Sequence, residues 1–304
     1  MAKEHSQISA WDLKGADGGL DLNNDQYRVA TPWPKLYWLA GQEYYAVLKK
    51  SAYFNLKVLI NRDQETVSDF YESHWSPSNE EYAKELDAKR EILLANNRPV
   101  FADGWFLHKG YIELLSMAIN RCQVESVLEV GAGRGKNLAL LALKSPDLRF
   151  AGIELTERGV ERSRELPEDL PQKFLTVAGY ESATEEQKKA LRDIDFQQGS
   201  ALEMPFADKS FDLSYTCLVL EQIPHLYTQV LKEMRRVTRK HCVFIEPFAE
   251  ANNISGMTYL RGVDYFRYKY KEFAQYGLEP VYFTTDMPQK VRFKTGLLIA
   301  QVVE

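Results

Sequence analysis

Glu129 stands two residues ahead of three glycines at alternate positions, Gly131, Gly133 and Gly135, within VLEVGAGRGKNLAL (127–140). An apolar run that breaks into glycines and resumes with helical spacing is a strand turning into a helix. Backbone amides at such a turn can meet an anion or a sugar. Two phosphate motifs compete for the loop. The nucleoside triphosphate pattern G-x-x-x-x-G-K-[ST] would end on Gly135-Lys136, but Val130 takes its first glycine position and Asn137 its hydroxyl position. The dinucleotide pattern G-x-G-x-x-G needs its third glycine at 136, one residue later than it occurs. A carboxylate ahead of the glycines also repels a pyrophosphate and suits a ligand with a positive group.

The pattern E-x-G-x-G-x-G after a first strand resembles motif I of the class I S-adenosylmethionine-dependent methyltransferases. Three further segments agree in order and spacing, so the resemblance covers roughly residues 124–248. Glu154, 25 positions after Glu129, ends the next apolar run, RFAGIEL (149–155). The family places there an acidic residue for both ribose hydroxyls, and two acceptor oxygens on one group match a vicinal diol. GSALEMPFADKSFD (199–212) is similar to the family's GDAxxLPFxDxSFD, and SYTCLVLEQIPH (214–225) to its VxSxxVLEHxPD. The resemblance thus implies S-adenosylmethionine as cofactor and S-adenosylhomocysteine as product. It implies a cofactor site of Glu129, Gly131, Ala132, Gly133, Gly135, Glu154, Leu155, Ser200, Ala201 and Leu218. Glu129 would serve the amino-acid end of the cofactor or organise the loop. Ser200 replaces the Asp that usually meets the adenine amino group, Gln222 replaces the His of the fourth motif, and VTRKHCVFIEPF lacks the usual KPGG turn.

Methyl transfer of this kind is an in-line displacement at a sulfonium methyl. The cofactor supplies the activated carbon, and the protein supplies position and, for hydroxyl acceptors, a base. His225 follows the fourth strand at the family position nearest the methyl, and His108 lies in an N-terminal segment able to fold over the cleft. Both are expected as the proton acceptor. Glu221 and Glu246, near strand carboxyl ends, are expected to orient a substrate amine or hydroxyl. MTYLRGVDYFRYKYKEFAQYGLEP (257–280) interleaves basic and aromatic residues. With Arg261 and Tyr265 it reads as a lid, part of an insertion over 249–280, for an anionic or sugar-like small molecule. Tyr71, His74 and Trp75 would close the other side of the pocket. The sequence carries neither an N-P-P-Y-type or D-P-P-Y-type element nor a P-C dipeptide, and with a net charge of −5 and a pI of about 5.7 a nucleic-acid substrate is disfavoured. A non-catalytic S-adenosylmethionine-binding protein and a nicotinamide-dependent oxidoreductase are the alternatives; the glycine spacing and Glu129 argue against the second.

These residues need a scaffold that brings strand ends together. From 124 onward, short apolar strands alternate with helical segments: SVLEV (126–130), RFAGIEL, DFQQGSA (195–201), FDLSYTCLV (211–219), HCVFIEPF (241–248) and TGLLIAQVVE (295–304), with helices between. The expected fold is α/β, a doubly wound, mainly parallel seven-stranded sheet with ligands at the carboxyl ends of its strands. That domain would span 121–304. Residues 1–120 would form an N-terminal arm and a helical extension serving as cap or homodimer element, with a loose arm over 1–30 and helices over 79–97 and 104–122. The aromatic-rich stretch 33–56 is expected to pack in a core or an interface rather than lie on a membrane. The chain of 304 residues has enough apolar material for a sizeable core, at 45%. No uncharged run reaches membrane-span length, and Cys122, Cys217 and Cys242 suggest neither zinc site nor disulfide framework, in keeping with a cytoplasmic protein. No metal is expected.

Overall fold

The computed structural model describes residues 27–56 and 64–303. The arm expected over 1–30 lies, for residues 1–26, outside the described residues. Residues 28 and 29 are ordered along a strand edge: Arg28 bridges Ala102, and Val29 N–H donates to the Phe101 carbonyl at 2.7 Å. Two helices follow, α1 (Trp33–Leu56) and α2 (Gln64–His74). Among the described side chains of α1, Trp33, Tyr37, Trp38 and Tyr45 are exposed, and Val47 joins a buried cluster with Tyr259, Leu260, Val263 and Phe293.

Helix α3 (Asn79–Ala88) begins at a capping box. Ser78 Oγ accepts the Glu81 N–H, and the Glu81 carboxylate accepts the Ser78 N–H at 2.8 Å. The helix expected to continue to 97 stops at Ala88. Residues Arg90–Ala95 form β1, paired antiparallel with β2 (Arg98–Asp103). Asn96 and Asn97, at φ 51° and 60°, make a two-residue turn with both central residues left-handed, the geometry whose twist suits a hairpin. Helix α4 (Gly104–Cys122) starts where Asp103 Oδ1 accepts the N–H groups of Trp105 and Phe106, and it buries the expected face of Leu107, Tyr111, Leu114, Leu115 and Ala118.

The main sheet then alternates with helices: β3 (Ser126–Val130), α5 (Lys136–Lys144), β4 (Arg149–Glu154), α6 (Glu157–Glu165), α7 (Gln172–Ala178), α8 (Glu185–Arg192), β5 (Asp195–Gln198), β6 (Phe211–Cys217), α9 (Tyr227–Val237) and β7 (Thr238–Glu246). After α10 (Ile254–Gly262) come β8 (Leu278–Thr284), β9 (Gln289–Lys290) and β10 (Gly296–Val302). Seven strands lie in the order β5-β4-β3-β6-β7-β10-β8. The five from β5 to β7 are parallel, and β10 runs antiparallel to both β7 and β8. This is the doubly wound, mainly parallel sheet expected. Its strands are buried on both faces. Val127 meets α4- and α5-side residues such as Leu115 and Leu138, and Leu128 and Val130 meet Leu231 and Met234 on the other side. A second small sheet, β2-β1-β9, adds to it.

Chain direction reverses between β3 and β6. From β3 the chain steps outward to β4 and β5, then returns to β6 on the other side. The crevice at the carboxyl ends of β3 and β6 is therefore where a ligand finds room between oppositely directed connections.

Candidate cofactor cleft

The glycine loop fills that crevice. Gly131 and Ala132 donate their N–H groups to the Ile153 carbonyl of β4 at 2.8 and 3.0 Å, folding the loop across the end of its neighbour. Gly131 has φ +76° and passes so close to Val219 that a Cβ there would lie 2.5 Å from a valine methyl carbon. Gly133, at φ +54°, lies under the Trp75 ring, which a Cβ would approach to 2.9 Å. Both positions need glycine for conformation and for space.

Glu154 is the centre of the adjoining wall. Its Oε2 accepts the Gly133 N–H at 2.8 Å, and its Oε1 accepts the Thr156 N–H at 3.0 Å and the Thr156 hydroxyl at 2.6 Å. A carboxylate has about four acceptor positions, so the group joins loop and helix start and keeps capacity for a ligand hydroxyl. Thr156, which also caps α6, was not singled out from the sequence; its signal was a threonine directly before a helix. Glu129 sits one layer deeper. It is fully buried, its Oε1 accepts from Asn137 Nδ2 at 2.7 Å, and the Tyr215 hydroxyl lies close to the carboxyl. Burial pushes its pKa up to about 8.

A cavity of about 630 Å³ lies over this floor. Four strand ends wall it: Gly131–Arg134 after β3, Glu154–Thr156 after β4, Gly199–Leu202 after β5, and Cys217–Val219 after β6. Leu218 is held left-handed at φ 61°, its N–H donating to Ile245 at 2.9 Å, a strained backbone at a ligand wall. Ser200 Oγ accepts the Leu202 N–H at 3.1 Å, which rigidifies the third wall.

The N-terminal side supplies a roof. Tyr71, His74 and Trp75 line the cavity, with Tyr71 and Trp75 stacked at 5.4 Å. Arg134, buried within the glycine loop, donates to the carbonyls of Pro77 and Ser78 at 3.0 and 3.2 Å, and its guanidinium lies 4.1 Å from the Tyr82 ring centroid. Arg162 of α6 donates to the Ser76 carbonyl at 2.8 Å. Two arginines thus tie the strap 75–78 to the core. Inside, Lys136 Nζ lies 2.5 Å from His108 Nδ1. Burial lowers the lysine to about 7 and, with the Lys136 charge next, holds the histidine well below its usual value. In the sequence Lys136 stands out only through an incomplete phosphate motif.

The methyltransferase-domain family model matches residues 128–245. This segment is a class I S-adenosylmethionine-dependent methyltransferase domain. Over 68 residues the chain is 37% identical to a demethylmenaquinone methyltransferase of Alkalihalophilus pseudofirmus, an alignment covering 22% of this chain and 27% of that protein. The match therefore spans about a quarter of the length of that curated relative. Among solved structures, the 4+2 cyclase SpnF superposes with a TM-score of 0.56 at 13% identity, over 80% of this chain and 97% of its own. Magnesium protoporphyrin IX methyltransferase of Synechocystis PCC 6803, crystallised with S-adenosylmethionine, does so at 0.50 and 10%, over 81% and 99%. At such identities the likeness is one of fold. A cyclase on that fold shows that the scaffold alone does not fix the chemistry.

Several residues expected at the site stand elsewhere in the methyltransferase domain. His225 turns away from the cavity, its Nε2 2.8 Å from Asp264 Oδ2, because the buried Asp264 carboxylate captures the imidazole. Glu246 is fully buried, and its carboxylate accepts the N–H groups of Val219, Leu220 and Glu221 at 3.0, 3.1 and 3.2 Å. It anchors the loop after β6 and faces no substrate space; burial and the Glu221 charge raise its pKa to about 8. Arg261 is exposed and lines neither cavity. The expected lid does not cover the cofactor cavity: none of residues 249–280 lines it, and Phe273 is buried in the core beside Phe244 and Phe248. Glu221 does line the cavity, and Tyr265 lines a second one described below. Among the described residues no helix is long and apolar enough to cross a membrane, and no group of three or more His, Cys, Asp or Glu is placed to hold a metal.

Proposed function

We propose that this chain transfers the methyl group of S-adenosylmethionine to a small molecule in the cytoplasm, releasing S-adenosylhomocysteine. The observation that carries the reading is the convergence of four separate segments on one cavity of about 630 Å³. Each is a segment where the family keeps cofactor contacts, and a cavity of that size suits a nucleoside cofactor. Glu154 keeps an acceptor position for a ribose hydroxyl, the Gly131–Gly133 backbone lets the methionine part approach, and the buried Glu129 carboxyl, with its pKa pushed up to about 8, is available to ionise against the ammonium end. The cofactor, when bound, supplies an electrophilic methyl carbon. The protein's own part is to orient the acceptor for in-line attack and to take its proton.

For that proton we assign the His108–Lys136 pair. Both side chains line the cavity, they touch each other, and burial lowers both, His108 well below its usual value and Lys136 to about 7. A buried lysine near 7 is tuned to the working pH of a general base. As the carbon–oxygen or carbon–nitrogen bond forms and the carbon–sulfur bond breaks, the acceptor's proton passes to the pair. The three free thiols, two of them buried, suit a reducing compartment.

Calorimetry with S-adenosylmethionine, S-adenosylhomocysteine and NAD tests the cofactor, and methyl release into small-molecule pools tests the transfer. Tight binding of both sulfur nucleosides and none of NAD is expected. NAD binding without a response to the sulfonium would overturn the cofactor assignment; binding without turnover on any pool would leave a non-catalytic binding protein.

A further inference from the structure

A second cavity, of about 710 Å³, adjoins the first and shares three lining residues with it: Lys89, Glu221 and Lys290. Its walls come from α1 (Leu39, Ala46), from β1, and from an aromatic group in which Tyr259 stacks on Phe293 at 5.9 Å and Tyr265 meets Phe293 edge-on at 5.9 Å. A cofactor occupying the first cavity leaves little of its 630 Å³ for an acceptor, whereas the second has the capacity of a whole ligand site.

The charges at the seam are unequal in their commitments. Lys89 is paired with Glu91 at 2.6 Å, and Glu221 Oε1 accepts from Gln222 Nε2 at 2.8 Å. Arg292, farther in, is paired with Glu43 at 2.6 Å, and Arg90 donates to the Lys89 carbonyl at 3.0 Å. Lys290 has no carboxylate within ion-pair distance among the described residues. Its ammonium lies 5.5 Å from the Phe293 ring centroid, and its charge is felt by His108. The two-residue strand β9, paired to β1 through Leu93 and Leu94, holds it there. A single half-buried cation on an aromatic face, with both neighbouring arginines already engaged, matches a singly charged anion rather than a phosphate dianion.

We infer that the methyl acceptor carries a carboxylate-like monoanion bound at Lys290, with a flat apolar body lodged in the second cavity against Tyr265 and Phe293. The inference rests on the methyl-transfer reading above. The nucleophilic end then points through the seam toward His108, and the bound anion offsets the positive field of Lys290 and Lys89 on that imidazole, making it a better base when the acceptor is present.

The test uses the full chain saturated with S-adenosylhomocysteine and two matched probes, 2-naphthoate and 2-naphthamide, titrated by ligand-observed NMR. The acid is expected to bind about tenfold more tightly than the amide, one charge-assisted contact being of that order. Lys290→Gln should erase the difference. Ala46→Trp, growing into the second cavity from an exposed helix position, should abolish binding of both probes. Equal affinities for acid and amide, no binding of either, or a difference that survives Lys290→Gln would overturn the inference. Cofactor saturation is measured first in each variant. Failure there sinks the methyl-transfer reading as well, whereas saturation followed by equal probe affinities sinks this one alone.

Discussion

Glu129→Gln separates what the buried carboxyl does for the ligand from what it does to the fold. In the unfolded chain the group titrates near 4.5, and in the fold burial moves it to about 8. The sign follows from linkage. A carboxyl whose folded pKa is raised contributes stability that is fully present below about 4.5 and is lost as pH rises toward 8, because the unfolded state releases its proton first. At pH 5.5 the unfolded group is about one unit past its pKa and the folded one is still protonated. At pH 8.5 the difference is between three and four units. At 1.36 kcal/mol per unit, the wild type loses roughly 3 kcal/mol relative to the glutamine variant between these two conditions. In a chain of this size that is a relative shift of about 6 °C in melting temperature. Glutamine keeps the carbonyl that accepts from Asn137, so packing effects are common to both pH values and cancel in the comparison.

The assay is a pair of thermal melts, wild type and variant, at pH 5.5 and 8.5 without cofactor, followed by calorimetry with S-adenosylmethionine at pH 8.5, where the Glu129 carboxyl is mostly ionised. The variant should gain on the wild type as pH rises, and it should bind the sulfonium cofactor about tenfold more weakly, as expected for loss of an anion beneath an ammonium group. A difference in melting temperature that is flat with pH refutes the titration argument. Unchanged affinity refutes the electrostatic role and leaves Glu129 as a prop for the first turn of α5.

Lys136→Met should raise stability at pH 7, since the cost of burying this amine grows as pH is lowered from 10.5 to about 7; turnover should fall at least 100-fold with S-adenosylhomocysteine affinity retained. A large drop in that affinity would instead show that Lys136 holds the cofactor carboxylate and not the proton. Gly131→Ala, at φ +76° and 2.5 Å from Val219, should cost about 1–2 kcal/mol in backbone strain plus the clash and should abolish cofactor binding; adding Val219→Ala should recover only the steric part, read by calorimetry and melts. Arg134→Lys cannot fork to the Pro77 and Ser78 carbonyls, so limited proteolysis between residues 64 and 78 should speed up and cofactor affinity should drop about tenfold; equal cleavage rates would show that the strap is held by Arg162 alone.

The parts of the site that were legible in the sequence are those set by local geometry. Three glycines at alternate positions, a carboxylate before them and another closing the next strand follow from how a strand enters a helix, and Glu154 and the Gly131–Gly135 loop stand where that logic puts them. What was not legible depends on contacts between distant segments. His108 and Lys136 are 28 residues apart and meet only because α4 packs against α5; neither carries a local mark of the partnership. His225 fills a family position, yet Asp264, 39 residues on, turns its ring away, so a motif position does not settle where a side chain points. Glu246 looked like substrate machinery because it ends a strand at the cleft, but three unpaired N–H groups in the loop after β6 claim its oxygens first. The β1–β2 hairpin did have a local signal, the Asn96-Asn97 pair, and it was outweighed by a run of good helix formers before it. The acceptor site shares this dependence on distance. Its proposed anchor, Lys290, sits on a two-residue strand that exists only because β1 is there to receive it, so the chemistry that distinguishes one methyl acceptor from another is written in the pairing of segments almost two hundred residues apart.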